Sequence, residues 1–146
     1  SDGGQSLLYK KIMGLDIGDK RIGISLSDPL RITAQGLETY TRKDDESDVK
    51  YLAHVFNDNK CEFIVSGLPK NMNGTLGPQA EKVIALCEML KEEIGCSIEY
   101  SDERLTTMLV ERTLIEADMS RQKRRKVVDK LAAVNILQGY LDSHHF

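Results

Sequence analysis

The sequence predicts one α/β domain with a five-stranded mixed sheet, in which three antiparallel strands are followed by parallel strands and helices flank the sheet. Two β-rich segments, Lys11 to Asp16 and Arg21 to Ser27, are joined by the turn-forming residues Gly18, Asp19 and Lys20, which is typical of an antiparallel hairpin. Short apolar segments then alternate with segments of helical spacing. The 146 residues, of which 40% are hydrophobic, suit a single core.

The other elements are predicted from periodicity and from their end signals. Pro78 fits the first turn of a helix, and Gly95 fits the cap at its C-terminus. In chain order, the predicted elements after the hairpin are a strand from Ile32 to Tyr40, a helix with the apolar positions Val49, Leu52, Ala53 and Phe56, a buried parallel strand from Cys61 to Gly67, a helix from Pro78 to Gly95, a strand from Ser97 to Ser101, a helix from Thr106 or Thr107 to about Glu116, and a final helix from about Arg124 to Leu141.

Composition limits the classes of function. The formal net charge is −3, so a polyanion would have to be met by a local basic patch. Cys61, Cys87 and Cys96 lie far apart without CxxC spacing or clustered histidines, which disfavours zinc and disulfides and favours a reducing cytoplasm. Since no apolar segment is long enough to span a bilayer, we expect a cytoplasmic protein with no membrane partner.

The chain begins with Ser1 rather than Met, and its first residues are small and polar. We expect residues 1–9 to be a disordered arm or a cloning remnant. Residues 10–142 are then the single folded domain.

Asp16 is the first candidate site residue. It lies on the first strand between Gly14 and Gly18, and strand alternation places it on the face opposite Leu15 and Ile17. An acidic residue in a central strand is costly unless it is paired or binds a metal. The alternative is an aspartate that only serves the hairpin turn.

Further acidic candidates follow the fifth strand and lie on the last helix. Asp102 and Glu103 stand just beyond that strand, where ligand sites of open α/β sheets lie. We favour Glu103 as the ligand and Asp102 as its support, with the reverse assignment and a solvated turn as alternatives. Asp129 heads a helical stripe of Ala132, Ala133, Ile136 and Tyr140, beside a second stripe of Val127, Leu131, Val134 and Leu141. A carboxylate in an apolar stripe needs a cation, and a salt bridge to Lys126 or Lys130 is the alternative to a metal.

The elements that carry these acids indicate a metal site. Carboxylates from a first strand, a later strand end and a final helix are suited to converge on two Mg²⁺ or Mn²⁺ ions, which prefer oxygen ligands. Two such ions, about 4 Å apart, would activate water and stabilise the leaving oxygen of a phosphodiester.

Two polar segments are candidates for nucleic-acid contacts. The first is a basic run before the Asp129 helix, and the second is a loop after the fourth strand. An ordinary solvated face and an ordinary mobile loop are the alternatives. The candidate residues are Arg121, Lys123, Arg124, Arg125 and Lys126 in the run, and Lys70 and Asn71 in the loop.

Four motifs in order along the chain resemble the YqgF (RuvX) family. They are Gly14 to Gly23 with Ser27-Asp28-Pro29, then Gly67 to Gly74, then Asp102 to Thr107, then Val128 to Ala133. The resemblance covers nearly the whole chain and implies a ribonuclease H-like fold related to the RuvC resolvase. It implies a Holliday junction resolvase or a nuclease that matures the 5′ end of precursor 16S rRNA, with Asp16, Glu103, Asp102 and Asp129 at the acidic positions of the active site.

Two other classes of function compete with a nuclease. One is a noncatalytic nucleic-acid-binding module, which the presence of all candidate acids disfavours. The other is half of an ATPase of the sugar-kinase and chaperone class, which needs two such domains around its nucleotide. The sequence leaves open RNA or branched DNA as substrate and a monomer or a homodimer, although junction cutting would need a dimer.

Overall fold

A computed structural model of the chain describes residues 10–69, 75–102 and 121–144, with the backbone alone for Asp102 and residues 121–128. The strands are β1 (Lys11–Ile17), β2 (Arg21–Ser27), β3 (Ala34–Thr41), β4 (Cys61–Leu68) and β5 (Ile98–Asp102). The helices are α1 (Asp45–Asp58), α2 (Pro78–Ile94) and α3 (Arg121–Ser143). The helix predicted between Thr106 or Thr107 and Glu116 lies outside the described residues.

The five strands form one sheet in the order β3-β2-β1-β4-β5. β1 pairs antiparallel with β2 and β2 antiparallel with β3, whereas β1 with β4 and β4 with β5 are parallel pairs. The predicted mixed sheet of three antiparallel strands followed by parallel ones is therefore confirmed.

Two predicted boundaries near the candidate site need correction. Asp102 is the last residue of β5 rather than the first residue beyond it, because β4 and β5 stay paired as far as Leu68 and Asp102. The last helix already includes Arg121, ahead of the predicted start at about Arg124. The basic run therefore lies inside the first turns of α3 and not in a connection before it.

Local signals at the other ends act as expected. The amide of Gly18 donates to the carbonyl of Arg21 at 2.9 Å and closes the β1–β2 turn. Asp44 caps α1 by accepting from the amide of Ser47 at 2.8 Å. Gly95 ends α2 with φ of 78°, a left-handed conformation that glycine adopts without strain.

The sheet has an apolar core on each face because alternate residues of its strands point to opposite sides. One face packs against α1 and α2, and its core includes Met13, Leu15 and Leu52. The other face packs against α3. This second core is smaller and is made of Ile12, Val65, Ile136, Leu137, Tyr140 and Leu141.

Helix α3 lies close against the sheet because glycines line its path. A Cβ added to Gly14 would lie 2.8 Å from the Cβ of Leu137, and one added to Gly36 would lie 2.7 Å from the side chain of Lys130. Between them, the hydroxyl of Ser25 donates to the carbonyl of Ala133 at 2.8 Å. Gly14, Gly23, Ser25 and Gly36 therefore lie along the path of α3 across the sheet.

The stripe headed by Asp129 is the one that meets the sheet. Ala132, Ala133, Ile136 and Tyr140 are all buried. In the second predicted stripe, Leu141 is buried and Leu131 and Val134 are half-buried.

Within the described residues, no helix is long and apolar enough to cross a membrane.

Candidate active site

Asp16 stands near the end of β1 on the face that α3 covers. It is half-buried, whereas its neighbours Leu15 and Ile17 belong to the core on the other face, as alternation predicts. In the antiparallel register, Asp16 is directly opposite Gly23 of β2. Such a pair of strand residues is separated by about 5 Å. Whatever lies over Gly23 is therefore beside Asp16.

The residue that lies over Gly23 is Asp129. A Cβ added to Gly23 would be only 1.9 Å from the carbonyl oxygen of Asp129, so the backbone of α3 occupies the space that a side chain would fill. Asp16 and Asp129, 113 positions apart by their numbers, are thus placed at one end of the sheet by a single close contact. The convergence of these two acids is a structural finding, and their role in catalysis remains a prediction.

The charge of Asp129 is paired across elements. Its Oδ2 accepts from Nε of Arg21 at 2.6 Å, and the side chains are 21% and 27% exposed. The sequence alternatives within the helix were Lys126 and Lys130. Lys130 instead extends over Gly36 of β3.

Arg21 was missed as a site residue by sequence reasoning. The available signal was its position two residues before Gly23, which puts its side chain on the same face of β2.

A row of positions extends from Asp16 across the parallel half of the sheet. Leu15 pairs with Ser66, and Gly67 pairs with Ser101. Asp16, the next position on β1, therefore lies in the row of Gly67 and Ser101. The C-terminal ends of β1, β4 and β5 meet at this edge, where ligand sites of such sheets lie.

The remaining predicted site residues can be placed only in part. Asp102 follows Ser101 at the end of β5, and its side chain is not described. Glu103, Lys70 and Asn71 lie outside the described residues. The residues of the basic run occupy the first turns of α3, ahead of Asp129 on the same helix, and only their backbone is described: Arg121, Lys123, Arg124, Arg125 and Lys126.

A buried ion pair supports the turn between Asp16 and Arg21. Asp48 of α1 is fully buried and accepts from Nε of Arg42 at 2.8 Å, the hydroxyl of Tyr40 at 2.9 Å and the amide of Lys43 at 2.9 Å. Arg42 also donates through Nη1 to the carbonyl of Gly18 at 2.9 Å. The charge of Asp48 is therefore connected, through one arginine, to the turn that carries the site.

The network shifts two ionisations. Burial alone would raise the pKa of Asp48, but the hydrogen bonds from Lys43, Arg42 and Tyr40 outweigh it and lower that pKa below its usual value. Burial raises the pKa of Tyr40 to about 12, and the hydrogen bond to Asp48 acts in the same direction.

Asp48→Asn tests this network. Because the pKa of Asp48 is lower in the folded than in the unfolded protein, the carboxylate stabilises the fold above about pH 4 and loses this effect as pH falls through the folded-state pKa. We expect the variant to lose about 2 kcal/mol of unfolding free energy at pH 7 and progressively less as the pH falls below about 4. Urea unfolding at pH 7, 5 and 3 measures both values.

Asp45→Asn is the matched control, since Asp45 accepts from the same arginine at 2.8 Å but is 64% exposed. Its unfolding free energy should change by less than about 1 kcal/mol. Equal losses in the two variants would show that the buried pair has no special weight.

Asp16 and Asp129, whose backbones both adjoin Gly23, carry the type of side chain that binds divalent cations. Carboxylate oxygens are the hard donors that Mg²⁺ and Mn²⁺ prefer. Within the described part of the chain no group of three acidic, histidine or cysteine side chains suits a metal ion, so a metal site at Asp16 and Asp129 would need a further ligand.

Comparison with known proteins identifies the family. The family model described as "RuvX: Holliday junction resolvase" matches residues 10–143. The chain belongs to the RuvX family. The family predicted from the four motifs is therefore confirmed, and the nuclease class is confirmed at the level of the family.

Curated relatives of this RuvX chain carry another description. A protein of Clostridioides difficile is 57% identical over 136 residues, which cover 93% of this chain and 96% of that one. A protein of Clostridium botulinum is 55% identical over 133 residues, which cover 91% of this chain and 97% of that one. Both are named "Putative pre-16S rRNA nuclease".

Solved structures confirm the ribonuclease H-like fold. The RuvC protein of T. thermophilus, solved with a Holliday junction substrate, has a TM-score of 0.58 at 13% identity and covers 92% of this RuvX chain and 95% of its own. The Fowlpox virus resolvase, solved with its junction DNA, has a TM-score of 0.56 at 13% identity. The match covers 91% of this chain and 97% of the resolvase chain. At this identity the likeness concerns the fold alone.

Proposed function

We propose that this RuvX chain is a metal-dependent nuclease that hydrolyses phosphodiester bonds of structured nucleic acid. Its proposed substrates are the 5′ end of precursor 16S rRNA, for which its relatives are named, and the Holliday junction, for which the family model is named. The observation that carries the proposal is the convergence of Asp16 and Asp129 through the contact over Gly23.

Asp16, Glu103 and Asp129 are the proposed metal ligands, with Asp102 as a support. The alternation of side chains along β5 favours Glu103 over Asp102 as the ligand. Ser101 lies in the row of Asp16, and alternate positions of a strand share a face. The position two residues after Ser101 is 103, so a strand direction kept for one more residue would direct Glu103 to the side of Asp16.

The chain's own residues would hold and orient the reacting groups. Mg²⁺ or Mn²⁺, as one or two ions, would supply Lewis-acid activation of water and stabilisation of the leaving oxygen. Asp16 and Asp129 would fix the ions against the sheet. Since β1 and α3 are rigid elements packed backbone to backbone at Gly23, the two carboxylates would need little reorganisation to bind.

The basic run and the loop after β4 are proposed to contact phosphates. With a formal net charge of −3, the chain needs a local patch to bind a polyanion, and five basic residues lie in the first six positions of α3. Lys70 and Asn71 follow the C-terminal end of β4, the edge at which Asp16 lies. Such contacts position a substrate without reading its sequence.

Cleavage assays test the proposed function. The purified protein is incubated with a four-way DNA junction and with an RNA that carries the precursor 16S 5′ end, in Mg²⁺, in Mn²⁺ and in EDTA. We expect metal-dependent cleavage of at least one of them. Binding of both substrates without cleavage in either metal would favour the noncatalytic module. Gel filtration with a junction bound would establish whether two copies are present, as symmetric cutting requires.

Charge reversal tests the basic run. Arg124→Glu combined with Arg125→Glu should weaken binding of RNA and DNA regardless of sequence, and should flatten the slope of log affinity against log salt by about 2, one for each lost phosphate contact. Fluorescence anisotropy between 50 and 200 mM salt measures the slope, and Mn²⁺ affinity should stay unchanged.

The matched control reverses two lysines on the helices of the other sheet face, Lys50 of α1 and Lys91 of α2. Its salt slope should equal that of the parent. A parental slope in the Arg124/Arg125 variant would show that the run is only a solvated helix surface.

A further inference from the structure

Arg21 contacts one side of the Asp129 carboxylate. Its Nε donates to Oδ2 at 2.6 Å, a short hydrogen bond between charged groups. In the described part of the chain, no second hydrogen bond to this carboxylate is found, and its side chain is 21% exposed. Oδ1 is therefore the oxygen that remains for another ligand.

Both partners of this bond are held by their backbones. Arg21 is the first residue of β2, and its carbonyl accepts from Gly18 across the hairpin turn at 2.9 Å. Arg42 ties the same turn through the carbonyls of Gly18 and Lys20, each at 2.9 Å. On the other side, the backbone of Asp129 rests on Gly23. The hydrogen bond therefore joins two fixed points, so it restricts the rotation of the carboxylate.

We propose that Arg21 is a positioning residue that fixes Asp129 through Oδ2 and so directs Oδ1 to a divalent cation shared with Asp16. This inference rests on the metal centre of the proposed function and adds a residue to it. Hydrogen bonds to the far side of a metal ligand orient that ligand, and their loss commonly weakens metal binding by about 10–100-fold.

A different role for Arg21 would change metal affinity in the opposite direction. If the guanidinium instead takes the place of the cation at Asp129, then Arg21 competes with the metal, and removing its charge should tighten binding. A positive charge near a cation site also repels the cation. Orientation and competition are thus separated by the direction in which affinity changes.

Two substitutions of Arg21 distinguish the donor from the charge. Glutamine places its side-chain nitrogen the same number of bonds from Cα as arginine Nε, so Arg21→Gln keeps the donor and removes the charge. Arg21→Met keeps an unbranched stem and removes both. The exposed Lys82, 3.7 Å from Asp19 in the same hairpin turn, provides the control Lys82→Met.

Isothermal titration with Mn²⁺ alone measures each affinity, and circular dichroism in EDTA checks folding. We expect Arg21→Met to bind Mn²⁺ about 10–100-fold more weakly, Arg21→Gln to recover most of that loss, and Lys82→Met to match the parent. Tighter binding in both Arg21 variants would overturn the proposal in favour of competition. Parental affinity in both, with only a lower Tm, would overturn it in favour of a purely structural ion pair.

A measurement on the unaltered protein covers the case in which a variant does not fold. In NMR spectra of ¹⁵N-labelled protein, the Nε–H resonance of Arg21 should still show a hydrogen-bonded proton when Mg²⁺ is added. Loss of this hydrogen bond on metal addition would overturn the proposal. The titrations also separate failure of this inference from failure of the proposed function. If the parent protein binds no Mn²⁺, both are overturned. If the parent binds Mn²⁺ and the Arg21 variants bind it equally well, only the role of Arg21 is overturned.

Discussion

Asp129→Asn should reduce metal-dependent cleavage by at least about 100-fold while the protein stays folded. Asparagine keeps the volume of the side chain and removes the charge that a metal ligand needs, and each factor of ten in rate corresponds to about 1.4 kcal/mol of lost transition-state stabilisation. The ion pair with Arg21 is partly exposed, so its loss should cost at most about 1 kcal/mol of unfolding free energy. Rate constants for cleavage and urea unfolding, measured on one preparation, give both values.

Asp142→Asn is the matched control for this variant. Asp142 lies on the same helix, is exposed, and accepts from the side chain of Gln138 at 2.9 Å. Its substitution should leave cleavage at the parental rate. A folded Asp129→Asn protein that also cleaves at the parental rate would contradict the carboxylate mechanism.

Gly23→Ala should damage both the fold and the site. The new Cβ would lie 1.9 Å from the carbonyl oxygen of Asp129, a backbone atom that cannot move unless α3 moves. We expect a loss of at least about 3 kcal/mol of unfolding free energy, at the upper end of the cost of overpacking. Because α3 carries Asp129 away from Asp16 when it shifts, Mn²⁺ affinity should fall as well. Urea unfolding and isothermal titration measure the two effects.

Gly139→Ala is the control for that substitution, because a Cβ added to Gly139 of α3 meets no atom within 4 Å. Alanine in place of an exposed helical glycine should stabilise the protein by about 0.5–1 kcal/mol. If Gly23→Ala were as stable as Gly139→Ala, the close packing of α3 on β2 would be refuted.

The parts of the site that were predictable depend on local periodicity. Alternation along β1 was enough to place Asp16 on the face opposite Leu15 and Ile17, and helical spacing was enough to place Asp129 at the head of the stripe that meets the sheet. These two inferences need no knowledge of which elements touch. The mixed sheet of three antiparallel strands followed by parallel ones was also predictable, since a short hairpin and helical crossovers leave few arrangements.

The parts that were missed are contacts between distant residues. The only protein partner considered for Asp129, as the alternative to a metal, was a lysine of its own helix. Spacing along one helix reveals only same-helix neighbours, whereas Arg21 is 108 positions away. The contact of α3 with Gly23 was not predictable either. A glycine in a strand can mark the close approach of another backbone, but it does not identify which element approaches. Asp48 was not singled out from the sequence, yet it is fully buried and paired with Arg42.

A crystal structure of the protein soaked with Mn²⁺, with the ions located by their anomalous scattering, tests directly whether Asp16 and Asp129 hold a metal together. We expect an ion at the end of β1 with a carboxylate oxygen of Asp16 and a carboxylate oxygen of Asp129 each within about 2–2.5 Å. Arg21 should stay on the other oxygen of Asp129. An ordered Mn²⁺ bound elsewhere, or bound at this position by only one of the two aspartates, would contradict this expectation.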